Sequence, residues 1–321
     1  MKKIIVILLV ACMIAGSIGV LAACKGDSKT QGFTIVTTIF PLYDWIKNIV
    51  GDKANVVMLV DNGVDLHSYS PTVRDIATLA QSDLFVYVGG ESDGWVHDAL
   101  RTAARDIVSL NLLDTLGSLA QLEEDPEGAE EEHEHEEEEE EEEYDEHIWL
   151  SLVNASVLVQ AIADKVAQLD SANADLYRAN ATAYKAQLNA LDAEYREAVS
   201  SATVDSVLFG DRFPFLYMTK DYGLHYYAAF RGCSAESEAS FETIIFLAGK
   251  VDELHLPAIL KLESSDGRIA RTVRDNTTDK NQPILSMDSL QSTTIDQARA
   301  GKTYLGAMRD NLAVLRSALG L

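Results

Sequence analysis

An α/β protein with two lobes of parallel sheet, joined by a long backbone helix and bearing its site in the cleft between them, is the fold class the chain predicts. Two observations carry it. From Phe33 onward, short β-branched runs alternate with helical stretches, the sequence form of βα units around a parallel sheet, and the alternation resumes after residue 203. Between the two runs, residues 154–201 are rich in Ala, Leu, Gln, Glu and Lys and contain no Gly or Pro. Open α/β sheets bind ligands outside the carboxyl ends of their strands, so two such halves on one helix place a cleft there.

Taken in order, Met1-Lys2-Lys3 is a short positive region, Ile4 to Val20 is almost wholly apolar, and Leu21-Ala22-Ala23-Cys24 closes it with small residues before a cysteine. This is the form of a bacterial lipoprotein signal peptide, residues 1–23, whose removal leaves Cys24 as the lipid attachment site. Residues 24–32 read as a tether on the extracytoplasmic face of the cell membrane. Cys12 leaves with the signal and Cys24 is acylated, so Cys233 is the one thiol of the mature body and no intrachain disulfide is expected.

The first lobe is expected over residues 33–170. Its strands are predicted at Thr34–Ile39, Asn55–Val60, Asp83–Val88 and Asp106–Leu110, with helices at Leu42–Val50, Val73–Gln81 and Trp95–Ala104. Ser70 and Pro71 read as the N-cap and first position of the second of these helices. Helical spacing predicts helices at 152–169 and 172–201; the latter is the linking helix, 171–202, roughly 45 Å long at 1.5 Å per residue. In the second lobe, 203–321, strands are predicted at Ser206–Gly210, Tyr226–Phe230, Ala258–Leu262 and Pro283–Met287. Helices are predicted at Phe213–Asp221, Phe241–Glu253, Arg268–Arg274 and Lys302–Leu319.

The segment Glu123–Glu146 holds 18 of the 51 acidic residues, no Lys or Arg, and the pair His133 and His135. Such a tract cannot pack a core; it concentrates cations near its surface without holding one in fixed geometry. It also explains the net charge of −25, since the 33 remaining acids against 26 Lys and Arg give only −7. No basic stripe is visible, which argues against a nucleic-acid partner. Enzyme signatures are missing as well. His133-Glu134-His135-Glu136-Glu137 lacks the i,i+4 histidine spacing of a zinc protease, and there is no nucleophile elbow, P-loop or dinucleotide fingerprint. The chain is therefore not expected to be an enzyme.

Phe40-Pro41-Leu42-Tyr43-Asp44, the stretch Leu59 to Thr72 containing Asp65-Leu66-His67-Ser68, the stretch Ser82 to Glu91, the acid/His tract, and Asp145-Glu146-His147-Ile148-Trp149-Leu150 together resemble the zinc and manganese substrate-binding lipoproteins of ABC importers, the ZnuA/PsaA-like cluster. The similarity runs from about Ile35 to the C-terminus. It implies a divalent metal held between two lobes, zinc foremost and manganese as the alternative, and docking onto a membrane permease served by a separate ATPase. His67 and His147 match the family's two histidine ligands, and Asp288 matches its carboxylate at the end of a second-lobe strand. The family's third ligand, a His or Glu, lies three residues before the Phe of a Phe-x-Tyr…Tyr-Gly-Leu segment. Counted from Phe213, that slot is Gly210, which cannot ligate, and Asp211 is the expected substitute. His133 and His135 are expected to capture ions on the loop. Cys233 lacks a second cysteine at ligand spacing and reads as an inert thiol, and Glu263 reads as a supporting residue. The competing functional classes are a surface adhesin or metal buffer and a metallohydrolase; the latter needs an open coordination position and a general base.

Overall fold

The computed structural model describes residues 32–103, 105–128, 143–233 and 238–321. The expected signal segment, Cys24, and the loop histidines His133 and His135 lie outside the described residues.

Strand β1 (Thr34–Thr37) leads into α1 (Phe40–Val50), β2 (Asn55–Met58), α2 (Val73–Leu79), β3 (Leu84–Tyr87), α3 (Trp95–Thr102), β4 (Ser109–Asn111) and the short α4 (Leu112–Leu116). Helices α5 (Leu152–Leu169) and α6 (Ala174–Ser201) follow. The second run is β5 (Ser206–Phe213), α7 (Leu216–Tyr222), β6 (His225–Arg231), α8 (Phe241–Glu253), β7 (Ile259–Leu262), α9 (Arg268–Asn276), β8 (Ile284–Met287), α10 (Ile295–Arg299) and α11 (Tyr304–Ala318). The two sheets are wholly parallel and share one plan, β2-β1-β3-β4 and β6-β5-β7-β8. The strand order reverses beside β1 in one sheet and beside β5 in the other, the switch points where α/β sheets present ligand sites.

Helix α6 serves both halves. Its buried residues Tyr177, Ala181, Tyr184, Leu188, Leu191, Tyr195 and Ala198 recur at alternating steps of four and three, which draws one apolar seam along 28 residues. Near its start, Asn180 donates to the Ile49 carbonyl at 2.9 Å and the Tyr184 hydroxyl to Asp44 at 3.1 Å, both on α1. Near its end, the Tyr195 hydroxyl donates to the Met308 carbonyl of α11 at 2.6 Å. One hydrophobic core accordingly runs from Ile35 and Trp45 through Trp149 and Tyr177 to Phe209, Met287 and Leu315, and residues 33–321 form one compact unit. No helix among the described residues is long and apolar enough to cross a membrane.

Several boundaries move for local reasons. Helix α2 is capped by Thr72, not by Ser70 and Pro71. The Thr72 hydroxyl accepts from the Asp75 N–H at 3.2 Å while the Asp75 carboxylate accepts from the Thr72 N–H at 2.8 Å, a reciprocal cap that defines the first turn. Strand β5 runs past Gly210 to Phe213, so the following helix starts at Leu216 instead of Phe213. Helices α4 and α10, five residues each, are too short to display a period and were not anticipated.

The Tyr184 hydroxyl and the Tyr304 N–H, the latter at 3.2 Å, both donate to Asp44 Oδ2 beneath the helix seam. Tyr184→Phe should cost about 1–2 kcal/mol in a denaturant titration with unchanged slope, because a buried acceptor loses one donor. A midpoint equal to that of the parent would show that the hydroxyl contributes nothing there.

Candidate metal centre

His67 lies in a single 3-10 turn, Leu66–Ser68, after β2, fixed by Asp65, whose carboxylate accepts the His67 N–H at 3.1 Å. His147 begins a second such turn, Ile148–Leu150, and its N–H donates to Asp145 Oδ1 at 2.7 Å. The two turns bring the rings together with Nε2 facing Nε2 at 3.2 Å.

Each ring is oriented from behind. The Asp145 carboxylate lies 3.2 Å from His147 Nδ1 and can only accept, so that nitrogen carries a proton and leaves Nε2 as the outward donor atom. His67 Nδ1 meets the Ser92 hydroxyl at 2.7 Å, with Glu146 Oε2 at 3.7 Å, and Glu146 in turn accepts the Ser92 N–H at 2.7 Å. Ser92 can reach them because Gly89 and Gly90 turn the chain after β3 at positive φ; a side chain at Gly90 would collide with Glu146. Carboxylates that hold the far nitrogen of ligating imidazoles are the usual support of a metal site.

The electrostatics of the pair are opposed. Burial disfavours charge on His147, but Asp145, then Glu146 and Glu123, raise its pKa above the ordinary imidazole value. Burial, the neighbouring His147 and the Arg212 guanidinium push His67 down to about 3. The pair therefore accommodates one positive charge between the rings, not two. For a tetrahedral zinc ion with Zn–N of about 2.0–2.1 Å, neighbouring nitrogens stand roughly 3.3 Å apart, close to the observed separation.

Cys233 joins them. His67, His147 and Cys233 each offer one ligand atom, all within 4.8 Å of one another, and they are the one such His/Cys/Asp/Glu group among the described residues. Cys233 follows Gly232 at the end of β6. Gly232 packs so closely on the His147 ring that an added Cβ would lie 3.0 Å from the ring carbon Cε1. The Cys233 N–H donates to Glu123 at 3.1 Å. Burial, then Glu123, Asp145 and Glu146, push the thiol well above its ordinary pKa, so without a cation it stays protonated.

The expected carboxylates are not brought into this group. Asp211 accepts the Arg212 N–H at 2.9 Å and the Leu262 N–H at 3.2 Å. Asp288 lies 2.5 Å from Lys302 Nζ and accepts the Leu290 N–H at 2.9 Å. Glu263 accepts the N–H and the hydroxyl of Ser289, both at 2.8 Å. The reason for the displaced third position is a bulge in β5. Phe209 pairs with Ala228 and Arg212 with Phe230, so Gly210 and Asp211 together oppose one residue of β6. Gly210 faces helix α9, where a Cβ would lie 2.5 Å from Ala270 Cα. Counted instead from Phe215 of Phe215-Leu216-Tyr217, the slot is Arg212, whose guanidinium bonds Asp65 at 2.7 Å beside His67.

The acidic segment is rooted at the same place. Leu122 and Tyr144 form an antiparallel bridge, flanked by 2.9 Å bonds from Glu123 N–H to the Glu143 carbonyl and from Asp145 N–H to the Gln121 carbonyl. The Tyr217 hydroxyl of α7 clamps both limbs, accepting from Gln121 at 3.1 Å and donating to the Asp145 carbonyl at 2.8 Å. Sequence reasoning singled out neither Ser92 nor Glu123; adjacency to the His147 motif was the one available signal for Asp145 and Glu146.

This fold, with two imidazoles and a thiol at the carboxyl ends of its parallel strands, defines a bilobal α/β metal-binding protein of the solute-binding kind. The chain belongs to the family described as zinc-uptake complex component A, periplasmic, which it matches over residues 35–318. That family is a metal-binding transport component and not an enzyme family. The chain is 30% identical to the high-affinity zinc uptake system protein ZnuA of Bacillus subtilis over 315 residues, 96% of each chain. It is 32% identical over 319 residues to the zinc-binding lipoprotein AdcA of Streptococcus pneumoniae, covering 98% of this chain and 61% of that protein, so it spans about three fifths of the AdcA length. Among solved structures, the Zn(II)-bound ZnuA-like domain of S. pneumoniae AdcA superposes with a TM-score of 0.70 at 26% identity, over 90% of this chain and 100% of that one. The metal-dependent lipoprotein YcdH of B. subtilis gives 0.72 at 26% identity, over 89% and 99%.

Behind the site, Asp93 is buried with Oδ1 unpartnered and Oδ2 accepting the Gly89 N–H at 3.0 Å; burial pushes its carboxyl up to about 7. The unfolded carboxyl titrates near 3.8. Between those values the folded state binds more protons, so the Asp93 contribution to stability falls as pH rises from about 4 to 7 and is level above. Asp93→Asn should flatten that part of the profile and gain up to ~4 kcal/mol relative to the parent at pH 8. Denaturation of both proteins at pH 5 and pH 8 measures it; an equal pH dependence in the two would mean that Asp93 is ionised throughout.

Proposed function

We propose that this chain is the solute-binding component of an ABC importer that captures zinc outside the membrane and delivers it to a permease driven by a separate ATPase. The observation that carries the reading is the 3.2 Å confrontation of His67 Nε2 and His147 Nε2, each ring oriented by oxygen atoms behind it. A zinc-binding relative, a zinc-uptake relative and the donor chemistry favour zinc as the cargo. Lipid attachment at Cys24 after removal of residues 1–23 would hold the carrier on the extracytoplasmic face.

His67→Ala and His147→Ala should each weaken zinc binding at least ~100-fold, about 2.7 kcal/mol, in competition with a chromophoric chelator. Asp145→Asn should lose about tenfold through misorientation of His147, and Asp211→Ala should stay within about threefold because both its oxygens hold backbone N–H groups. Zinc binding that survives both histidine substitutions would end the assignment.

The acid/His loop is proposed to feed the site. Its root is part of the folded body, since Glu124 pairs with Lys220 at 2.7 Å and Asp125 with Arg231. Deleting residues 129–142 alone should remove weak zinc equivalents and leave the tight site intact, with the weak component shrinking as salt screens exposed charges over about 8 Å. Stoichiometry by calorimetry at low and high salt reads this; loss of the tight equivalent would make the loop part of the primary site.

A further inference from the structure

We infer that Cys233 supplies a thiolate sulfur as the third donor to the ion held by His67 and His147, and that this sulfur selects zinc against manganese. The inference rests on the carrier function proposed above and concerns the chemistry of its site.

Three independent observations meet at this residue. Its ligand atom lies within 4.8 Å of both imidazole ligand atoms, and the nitrogens already stand at the spacing of a tetrahedral ion. Closure onto an ion requires movement on the order of 1 Å, given a Zn–S bond of about 2.3 Å. Next, the residue is held in place: Gly232 lies against the His147 ring, and Glu123 takes the Cys233 N–H. Finally, the position from which β5 would project a donor carries the Arg212 cation, engaged with Asp65, and Asp211 is turned onto the backbone of β7. A guanidinium is always protonated and cannot ligate. The donor missing from β5 is therefore found one strand over, at the end of β6.

Binding exchanges protons for bonds: the proton shared by the two Nε2 atoms leaves to water as the Zn–N bonds form, and the thiol gives up its own. The S–H proton passes to Glu123, whose carboxylate already accepts hydrogen bonds from Cys233, and from there to water; the sulfur pair forms the Zn–S bond. No oxidant or reductant takes part. Two imidazoles with a thiolate suit zinc, whereas manganese favours oxygen donors. A site that exchanged the sulfur for a carboxylate would lose most of that discrimination.

The test uses the purified protein, loaded in turn with cobalt(II), zinc and manganese. The parent with cobalt should show an intense near-ultraviolet sulfur-to-metal charge-transfer band, and Cys233→Ser should lack it and bind zinc at least tenfold more weakly. Cys233→Asp should narrow the ratio of zinc to manganese affinity at least tenfold. A parent without the band, or Cys233→Ser with zinc affinity within twofold of the parent, overturns the inference. Should Cys233→Ser fail to fold, the cobalt spectrum of the parent decides alone. His67→Ala separates the two levels. If it abolishes zinc binding while Cys233→Ser does not, only the sulfur assignment fails, and if neither matters the carrier reading itself fails.

Discussion

Two buried imidazoles pointing their Nε2 atoms at each other across 3.2 Å form the constraint around which the rest is arranged. Among the described residues each outward nitrogen bonds the other ring, one Nε2–H donating and the other Nε2 accepting, and that shared proton is what a metal displaces. The surroundings supply the complement. Asp145 and the Ser92–Glu146 pair stand behind the rings, Glu123 stands beside the thiol, and Arg212 is kept from neutralising them by its bond to Asp65. The cluster is thus a pocket ringed by carboxylates, its two imidazoles and thiol spaced to suit a small dication. Its protonated state is a substitute for the loaded one, not an alternative function.

Such a pocket needs stiff walls, and the shared core provides them. Trp149, two residues past His147, donates its indole N–H to the Ser289 carbonyl at 2.8 Å and accepts the Tyr304 hydroxyl at 2.6 Å through its own carbonyl. Both partners belong to the second run of elements, so the turn bearing His147 is gripped from the opposite lobe. Separating the lobes along this seam would expose Trp149, Tyr304 and the apolar stripe of α6. Each Å² of apolar surface so exposed costs roughly 25 cal/mol.

How much of this was legible in the sequence follows from which forces write themselves locally. The alternating strands and helices, the 3-4-3-4 seam of α6 and the turns carrying His67 and His147 depend on neighbours in sequence, and they were read correctly in kind. The third member of the group was not. A bulge at Gly210-Asp211 shifts the facing of β5 by one residue, and the period-two rule on which strand readings rest cannot see it. Cys233 looked isolated because its partners stand 86 and 166 residues away in the chain, and only the sheet order brings them together. Ser92 was invisible for the same reason: its role arises from the bend at Gly89-Gly90 and from Glu146, 54 residues later.

The acid loop shows how one segment divides its labour by burial. Exposed pairs such as Lys220 with Glu124 contribute little, on the order of 0–1 kcal/mol each, and weaken with salt. What anchors the root is the bridge at Leu122 and Tyr144 with the Tyr217 clamp, bonds to backbone groups that salt does not screen. Glu123, the first acid of the tract, is accordingly fixed on the Cys233 N–H, and Asp145 and Glu146, its last two, respectively orient the His147 ring and accept the Ser92 N–H. A tract that looks uniform in composition therefore has two structural ends that shape the site, and residues 129–142 between them are the part the proposed deletion removes.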